Sequence, residues 1–523
     1  MQPLHEAPKN CASQSVRIAQ YFAYGDTPSM SSTLQDSGAP PASRLPIYRN
    51  AFDFERLIRE YPLPDVFEQT VWRWSPERIR ALQEERFLRI MEVGWQNPFY
   101  RKRWESAGLA PQDIGCLDDI VKLPIYNSDD VKESMEARPP FGDFHNVDRG
   151  GMAAMGPLKM QTSGGTTGMP RPTLFDAWAW EAQAVLGARA LYIQGARPGD
   201  VIQIPMTASL ANAGWLSYKG CHDFLGMTPL TTGSGVVTSS RQQLEIAQRF
   251  GTDIWHCFPE YLIRLAQVSQ DELGRDVRDL KTKFLRTYLG PDVDGSLRRE
   301  LEERWGCPAY DAYGANEISA AAFECTAQNG LHFMEDAIYM EVLDVDTGQP
   351  VAPGQRGNLV CTAFFRTLPP IIRYNLRDLG RVLSVDRCAC GSYFRRMDHF
   401  LGRSDAMVKL RGVNIYPMAC LPIVRSDPRT TGEWVCVVER VEAAGVPRDE
   451  MEVRIEVRRD APSHEGLRET LEKRLKDDLG LAVRVALVEE GSLAELSNTS
   501  GGEGKQRRLV DHRPAYQNQK VQA

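Results

Sequence analysis

The sequence predicts an α/β protein: a large N-terminal domain of packed α/β subdomains, residues 46–401, followed by a small α+β C-terminal domain, residues 402–523. Three observations carry this. Beyond residue 158, short apolar runs alternate with amphipathic stretches, the pattern of strands and helices layered on one sheet. After a segment dense in Arg, Gly and Asp (402–417), the order becomes strand, strand, helix, strand over about one hundred residues, an ordinary domain size. A chain of 523 residues also exceeds what one hydrophobic core fills.

The elements follow in order. Residues 1–45 are rich in Ser, Pro, Ala and Gln and read as a poorly ordered arm. Ser75-Pro76-Glu77 is a helix start, with Ser as cap and Pro in the first turn, and apolar residues then recur at helical spacing from Arg78 to Val93. Strands are expected at 201–205, 285–290, 337–345 and 357–364, and helices at 242–250, 259–268 and 297–305. In the C-terminal part the strands are 433–441, 452–459 and 482–490, and the helix is 464–480. There is no internal repeat.

Composition excludes several classes. The chain is 42% hydrophobic and 25% charged, so it is globular. A net charge of -7 with no basic block argues against nucleic acid as partner. No apolar run approaches the roughly eighteen residues of a membrane span. The N-terminus lacks a basic then apolar leader pattern. Eleven cysteines, an odd number, read as reduced thiols with a few available to metal. A cytoplasmic location is expected.

The sharpest local signal is residues 161–170, QTSGGTTGMP. Thr162, Ser163, Thr166 and Thr167 supply hydroxyls, and Gly164, Gly165 and Gly168 let the backbone approach an anion closely. Exposed N–H groups of such a turn form a concave anion site, and Arg171 adds positive charge. A flexible linker would have similar composition, but this segment leads into the strand-like Thr173-Leu174-Phe175. The pattern is neither GxxxxGK[ST] nor GxGxxG.

This loop resembles the Ser/Thr/Gly-rich loop of the adenylate-forming superfamily, which includes acyl-CoA synthetases, luciferase and peptide-synthetase adenylation domains. The branch it is most similar to is that of the phenylacetate–CoA ligases. The segments Asn97-Pro-Phe-Tyr-Arg-Lys-Arg-Trp104 and Leu117-Asp-Asp-Ile-Val-Lys-Leu-Pro124 resemble that branch's N-terminal helices. Ala312-Tyr-Gly-Ala-Asn-Glu317 resembles its aromatic–Gly–x–Thr/Ser–Glu motif, and Ile372-Arg-Tyr-Asn-Leu-Arg-Asp-Leu379 its ribose segment. The run 402–417 resembles the hinge, and Gly504-Lys-Gln-Arg-Arg508 the C-terminal lysine motif. The match runs in order from about residue 76 to 514.

The resemblance implies ATP-dependent activation of a small, aromatic carboxylic acid as its acyl-AMP, followed by transfer to coenzyme A. It makes 46–401 the ATP- and acid-binding domain and 402–523 a mobile lid. Ser163, Gly164, Gly165, Thr166, Thr167 and Gly168, with Thr162, would hold the phosphates. Glu317 would bind Mg²⁺, a hard cation suited to carboxylate and phosphate oxygens. Tyr313, with Gly314 and Asn316, would flank adenine, while Asp378 and Arg403 would contact ribose. Asp405 would be the hinge, and Lys505 would bridge carboxylate and α-phosphate. Acid-pocket candidates are Phe141, Trp215, Gly233, Ser234, Gly235 and His256; His256 either contacts the carboxylate or is a packed core histidine. A homodimer is a further family expectation.

Cys388-Ala-Cys390 is a tight pair, and Cys325 lies seven residues before His332. The residues themselves permit a Cys₃His zinc site or four unrelated groups; the resemblance to some members of the branch favours a structural zinc. Three motif positions depart from the branch pattern: Asn316 precedes Glu317 in place of a hydroxyl, Asn375-Leu376 replaces Arg-Thr, and Leu289-Gly-Pro-Asp292 replaces Gly-Ala-Glu-Pro. These leave room for a competing acceptor, a carrier-protein thiol or a nitrogen nucleophile in a biosynthetic pathway. A non-catalytic nucleotide-binding protein is a third class, opposed by intact Lys505, Asp378 and Glu317.

Overall fold

The structure, a computed structural model, describes residues 47–163, 171–292, 295–384, 386–406, 408–410, 413–443, 446–497 and 507–513. The expected helix start is present: Ser75 caps the helix Pro76–Gln96, its hydroxyl accepting from the Arg78 N–H at 3.5 Å. That helix buries Ile79, Phe87, Ile90 and Met91 in the main core.

Strands β1 (Lys159–Ser163) and β2 (Arg171–Phe175) pair antiparallel, so the Ser/Thr/Gly segment connects two paired strands. The central sheet is built from β3 (Val201–Gln203), β4 (Thr228–Leu230), β5 (Ile254–His256), β6 (Phe284–Thr287), β7 (Ala309–Ala315), β8 (Ser319–Glu324) and β9 (Leu331–Phe333). Its order is β4-β3-β5-β6-β7-β8-β9, parallel from β4 to β7 and antiparallel beyond. The switch occurs where β7 turns directly back into β8, a hairpin instead of a crossover helix. β10 (Ile338–Leu343), β11 (Gly357–Thr367) and β12 (Pro370–Gly380) form a separate antiparallel sheet. The short β13 (Val382–Ser384) and β14 (Arg396–Met397) extend the central sheet beside β9.

Parallel strands buried on both faces read as continuous apolar runs, and β5 and β6 are buried at every position. The helix Ala177–Ile193 covers the sheet and is buried nearly all round, which its alanine-rich sequence permits. Trp72, Trp104, Trp255 and Trp305 are the largest apolar side chains fully buried in this core.

The C-terminal part has its own core. After the short pair β15 (Val408–Leu410) and β16 (Val413–Ile415) comes a four-stranded sheet of β17 (Thr430–Ala443), β18 (Val446–Val457), β19 (Arg484–Glu489) and β20 (Leu509–Asp511), ordered β19-β18-β17-β20. The helix Leu467–Leu479 lays Leu467, Leu471 and Leu475, all fully buried, against Trp434, Cys436 and Ile455. The large α/β part and the small α+β part are as expected. No helix among the described residues is long and apolar enough to cross a membrane.

Candidate active site

The hairpin between β7 and β8 is shaped by two backbone demands. A Cβ on Gly314 would lie 2.1 Å from the Ser319 carbonyl oxygen, so only glycine fits there. Ser319 itself adopts φ 57, a left-handed residue that closes the turn. The turn places Tyr313 at the strand end, Gly314 exposed, Asn316 half-buried and Glu317 buried.

Glu317 Oε1 accepts from Arg171 Nη2 at 2.5 Å and from the Tyr374 hydroxyl at 3.2 Å. The first residue of β2 and the middle of β12 therefore converge on this carboxylate, beside the strand that begins the Ser/Thr/Gly segment. Tyr313 donates its hydroxyl to Asp378 Oδ2 at 2.7 Å, while its ring stacks against Phe400 with centroids 6.4 Å apart. Asp378 Oδ1 accepts from Arg403 Nη1 at 2.8 Å. The same guanidinium makes two 2.7 Å bonds to Asp405 through Nε and Nη2. Tyr313, Asp378, Arg403 and Asp405 thus form one chain of contacts running from the sheet to the turn Ser404–Ala406. Of the sequence neighbours of Asp378, Arg381 pairs with Asp398, while Arg377 pairs with Asp129 and also reaches Asp405 at 4.0 Å.

Thr162 is half-buried on β1, and the backbone of Ser163 ends that strand. Gly164, Gly165, Thr166, Thr167, Gly168 and Lys505 lie outside the described residues, as does the arm 1–45.

Among the acid-pocket candidates, His256 ends β5 and is 2% exposed. Its Nδ1 lies 2.8 Å from the hydroxyl of Ser217 on the helix Asn212–Leu225. Trp215 sits on the same helix, half-buried, with Lys159 Nζ 4.5 Å from its ring and its Nε1 donating to the Ser209 carbonyl at 2.7 Å. Gly233 and Ser234 are half-buried and Gly235 exposed in the segment after β4; a Cβ on Gly235 would meet Tyr261 Oη at 2.9 Å. Phe141 does not join His256 in the main core. It packs in a small cluster with Val147 and Leu174.

Sequence reasoning missed several neighbours. Gln183 Oε1 accepts from Asn212 Nδ2 at 2.8 Å and Ser319 Oγ at 2.5 Å, tying the start of the Trp215 helix to the Glu317 hairpin. Arg366 is fully buried, donates to the Leu174 carbonyl at 2.8 Å, and is pushed down to about 10 by burial. Tyr374 and Phe400 complete the list. These partners are fixed by long-range register, for which a single sequence carries no local signal.

Cys325, His332, Cys388 and Cys390 come together, their ligand atoms all within 4.8 Å of one another. Cys325 Sγ lies 3.7 Å from Cys388 Sγ, and Cys390 Sγ 3.6 Å from His332 Nε2. His332 Nδ1 sits 3.1 Å from the Phe394 carbonyl, which can only accept, so Nδ1 carries the proton and Nε2 presents its lone pair to the three sulfurs. Three thiols and a correctly protonated imidazole are a donor set that fits tetrahedral zinc.

The parallel sheet that turns into a hairpin at a buried glutamate, followed by a smaller C-terminal part, is similar to the AMP-binding enzymes. The family model for the AMP-binding enzyme matches residues 117–363, and that for the AMP-binding enzyme C-terminal domain matches 412–513. The phenylacetate-coenzyme A ligase of Thermus thermophilus is 30% identical over 458 residues, covering 84% of this chain and 97% of that protein. That of Escherichia coli K12 is 27% identical over 448 residues, 84% and 96% covered. Among solved structures, 2-hydroxyisobutyryl-CoA ligase in the postadenylation state with 2-HIB-AMP aligns with a TM-score of 0.72 at 27% identity, over 86% of this chain and 93% of that one. The same ligase with 2-HIB-AMP and CoA in its thioesterification state gives 0.61 at 28% identity, again 86% and 93% covered. The chain belongs to the adenylate-forming, AMP-binding enzymes, in the branch of the phenylacetate–CoA ligases.

Proposed function

We propose that the protein is an AMP-forming acid–CoA ligase whose acid is small and aromatic. Family membership carries the reaction class. The observation that carries the site reading is the convergence of Arg171, Tyr374 and Glu317 beside the strand leading into the Ser/Thr/Gly segment.

In the first half-reaction a carboxylate oxygen attacks the α-phosphorus of ATP, the bond to the bridging oxygen breaks, and pyrophosphate leaves. Both reactants are anions, so positioning and charge neutralisation dominate. Thr162 and the following segment cradle the departing phosphates. Glu317, a buried carboxylate, is suited to hold Mg²⁺, which supplies charge neutralisation on the phosphates when bound. Arg171, ion-paired with this carboxylate at 2.5 Å, orients it. Asp378 accepts from ribose hydroxyls, Arg403 contacts the same sugar, and Tyr313 lies along adenine. Lys505 bridges the acid and the α-phosphate. In the second half-reaction the coenzyme A sulfur attacks the acyl carbonyl and AMP leaves, after torsions near Asp405 turn the lid.

ATP–pyrophosphate exchange across a panel of carboxylic acids tests the first step, and thioester formation with free coenzyme A tests the second. Exchange with an aryl acid but no thioester from coenzyme A would move the acceptor to a carrier-protein thiol or a nitrogen nucleophile. Exchange with no acid would sink the reading.

The Cys325–His332–Cys388–Cys390 cluster is read as a structural zinc site, supported by its donor set and by the oriented imidazole. Purified protein is expected to carry about one zinc per chain. Cys388→Ser should lower that stoichiometry and drop the thermal midpoint on the order of 5 °C or more, because metal binding is folding energy here. Elemental analysis and calorimetry decide it; full stability without metal would refute the site. None of the ten described cysteines is in a disulfide, which supports the expected cytoplasmic location.

A further inference from the structure

One buried lone pair near the carboxyl edge of the central sheet has no donor among the described residues. Ser217 Oγ lies 2.8 Å from the Ala213 carbonyl, one helical turn back, and 2.8 Å from His256 Nδ1. A helical serine commonly gives its single hydrogen to that carbonyl. The carbonyl cannot donate, so the hydroxyl oxygen then accepts from Nδ1–H. Burial, reinforced by the neighbouring Arg286 guanidinium, holds the imidazole neutral, well below its ordinary range. A neutral ring protonated at Nδ1 is an acceptor at Nε2. That atom is buried and has no hydrogen-bond partner among the described residues.

Its position is informative. In open parallel sheets, ligands bind in the crevice beyond the carboxyl ends of the strands. His256 is the last residue of β5. Tyr288 follows β6 directly, and its ring lies 5.6 Å from the imidazole. Phe258, 51% exposed, lies 5.7 Å from Tyr288. The helix that supplies Ser217 also supplies Trp215. An acceptor is therefore set among aromatic rings at the edge where the acid is expected.

We propose that His256 Nε2 accepts a hydrogen bond from a hydroxyl or amino substituent on the acid, so that the enzyme selects a hydroxy- or amino-substituted aryl acid over its unsubstituted parent. This rests on the adenylation reading above and names the substrate class of that same site. A parent acid leaves the buried lone pair unmet, and sites built to pair with a substrate polar group reject analogues that lack it.

The test is ATP–pyrophosphate exchange on matched sets: benzoate against its three hydroxy and three amino isomers, and phenylacetate against its ring-hydroxylated forms. Wild-type protein should favour one substituted acid by about 10- to 100-fold in kcat/KM. His256→Leu should erase that preference, mostly by raising KM for the substituted acid. His256→Gln, which offers an amide oxygen, should restore part of it. Equal use of parent and substituted acids by the wild type overturns the assignment alone. A uniform loss for every acid in both variants, with a lowered thermal midpoint, marks a packing role beside Arg286 and also overturns it. Exchange with no acid at all fells the adenylation reading and this assignment together.

Discussion

Replacing Lys505 by alanine is expected to cut acid-dependent pyrophosphate exchange by about 10²- to 10³-fold, the usual cost of removing one group that stabilises transition-state charge. Thiolysis of an acyl-AMP supplied ready-made should stay within a few-fold of wild type. The asymmetry follows from charge. Joining a carboxylate to an α-phosphate brings two anions together, and a compact ammonium on a flexible stem is the point charge that suits the gap. Thiolysis makes no such demand, and on the proposed reading it follows a turn of the lid about Asp405. The fold holds the flanks of this lysine's segment. The Arg507 N–H donates to the Ser497 carbonyl at 2.8 Å. Arg508 bonds Glu433 at 2.7 and 3.1 Å and the Trp434 carbonyl at 2.9 Å. β20 then pairs in parallel with β17 from Cys436 onward. Comparing exchange with single-turnover thiolysis separates the two half-reactions; equal losses in both would mean the lysine serves the lid's fold, and unchanged exchange would remove it from the chemistry.

The elements were legible wherever burial alone sets the pattern. The run 201–205 is apolar because a parallel strand is covered on both faces, and it contains β3. The helix expected at 259–268 is Pro259–Asp271, since its apolar spacing and N-terminal Pro are both local signals. Boundaries drifted where a local pattern outlasts the ladder: the strand expected at 285–290 stops at Thr287, freeing Tyr288 to turn toward His256. In the C-terminal sheet the ladder instead outlasts the pattern, as β17 and β18 stay paired to Ala443 and Val446. Cys325, His332, Cys388 and Cys390 were legible as a set because their side chains are few and chemically distinctive, though register brings β9 and the segment before β14 together. The Arg171–Glu317 pair was not. Those residues stand 146 apart, and nothing near either announces the other. Pairing arises only once β2 and the β7–β8 hairpin are in place.

Asp378→Ala should raise KM for ATP and lower kcat/KM by about 10²-fold, with the same factor for every acid tested. A carboxylate that meets ribose acts before the acid's identity matters, so uniformity across acids is the signature of a nucleotide role. The geometry adds a second effect. Asp378 accepts from a Tyr313 hydroxyl and from Arg403, at 2.7 and 2.8 Å, and is only 8% exposed. Truncation leaves a buried phenol without this acceptor, a cost of about 1–3 kcal/mol, and leaves Arg403 to Asp405. Tyr313→Phe separates the two effects, because it removes the phenol's demand and keeps the carboxylate. That variant should retain ATP affinity within a few-fold, and adding Asp378→Ala to it should cost less stability than Asp378→Ala alone in the native background, the non-additivity expected of residues in contact. Near-native KM for ATP in Asp378→Ala would reduce the aspartate to a structural partner. The double variant also probes the hinge. Arg403 divides its guanidinium between Asp378 on β12 and Asp405 in the turn Ser404–Ala406. If Asp378 meets the nucleotide and the turn at Asp405 is the hinge, as proposed, one guanidinium joins the two, and loss of Asp378 should leave it to Asp405 alone and slow adenylation beyond what weaker ATP binding gives at saturating ATP.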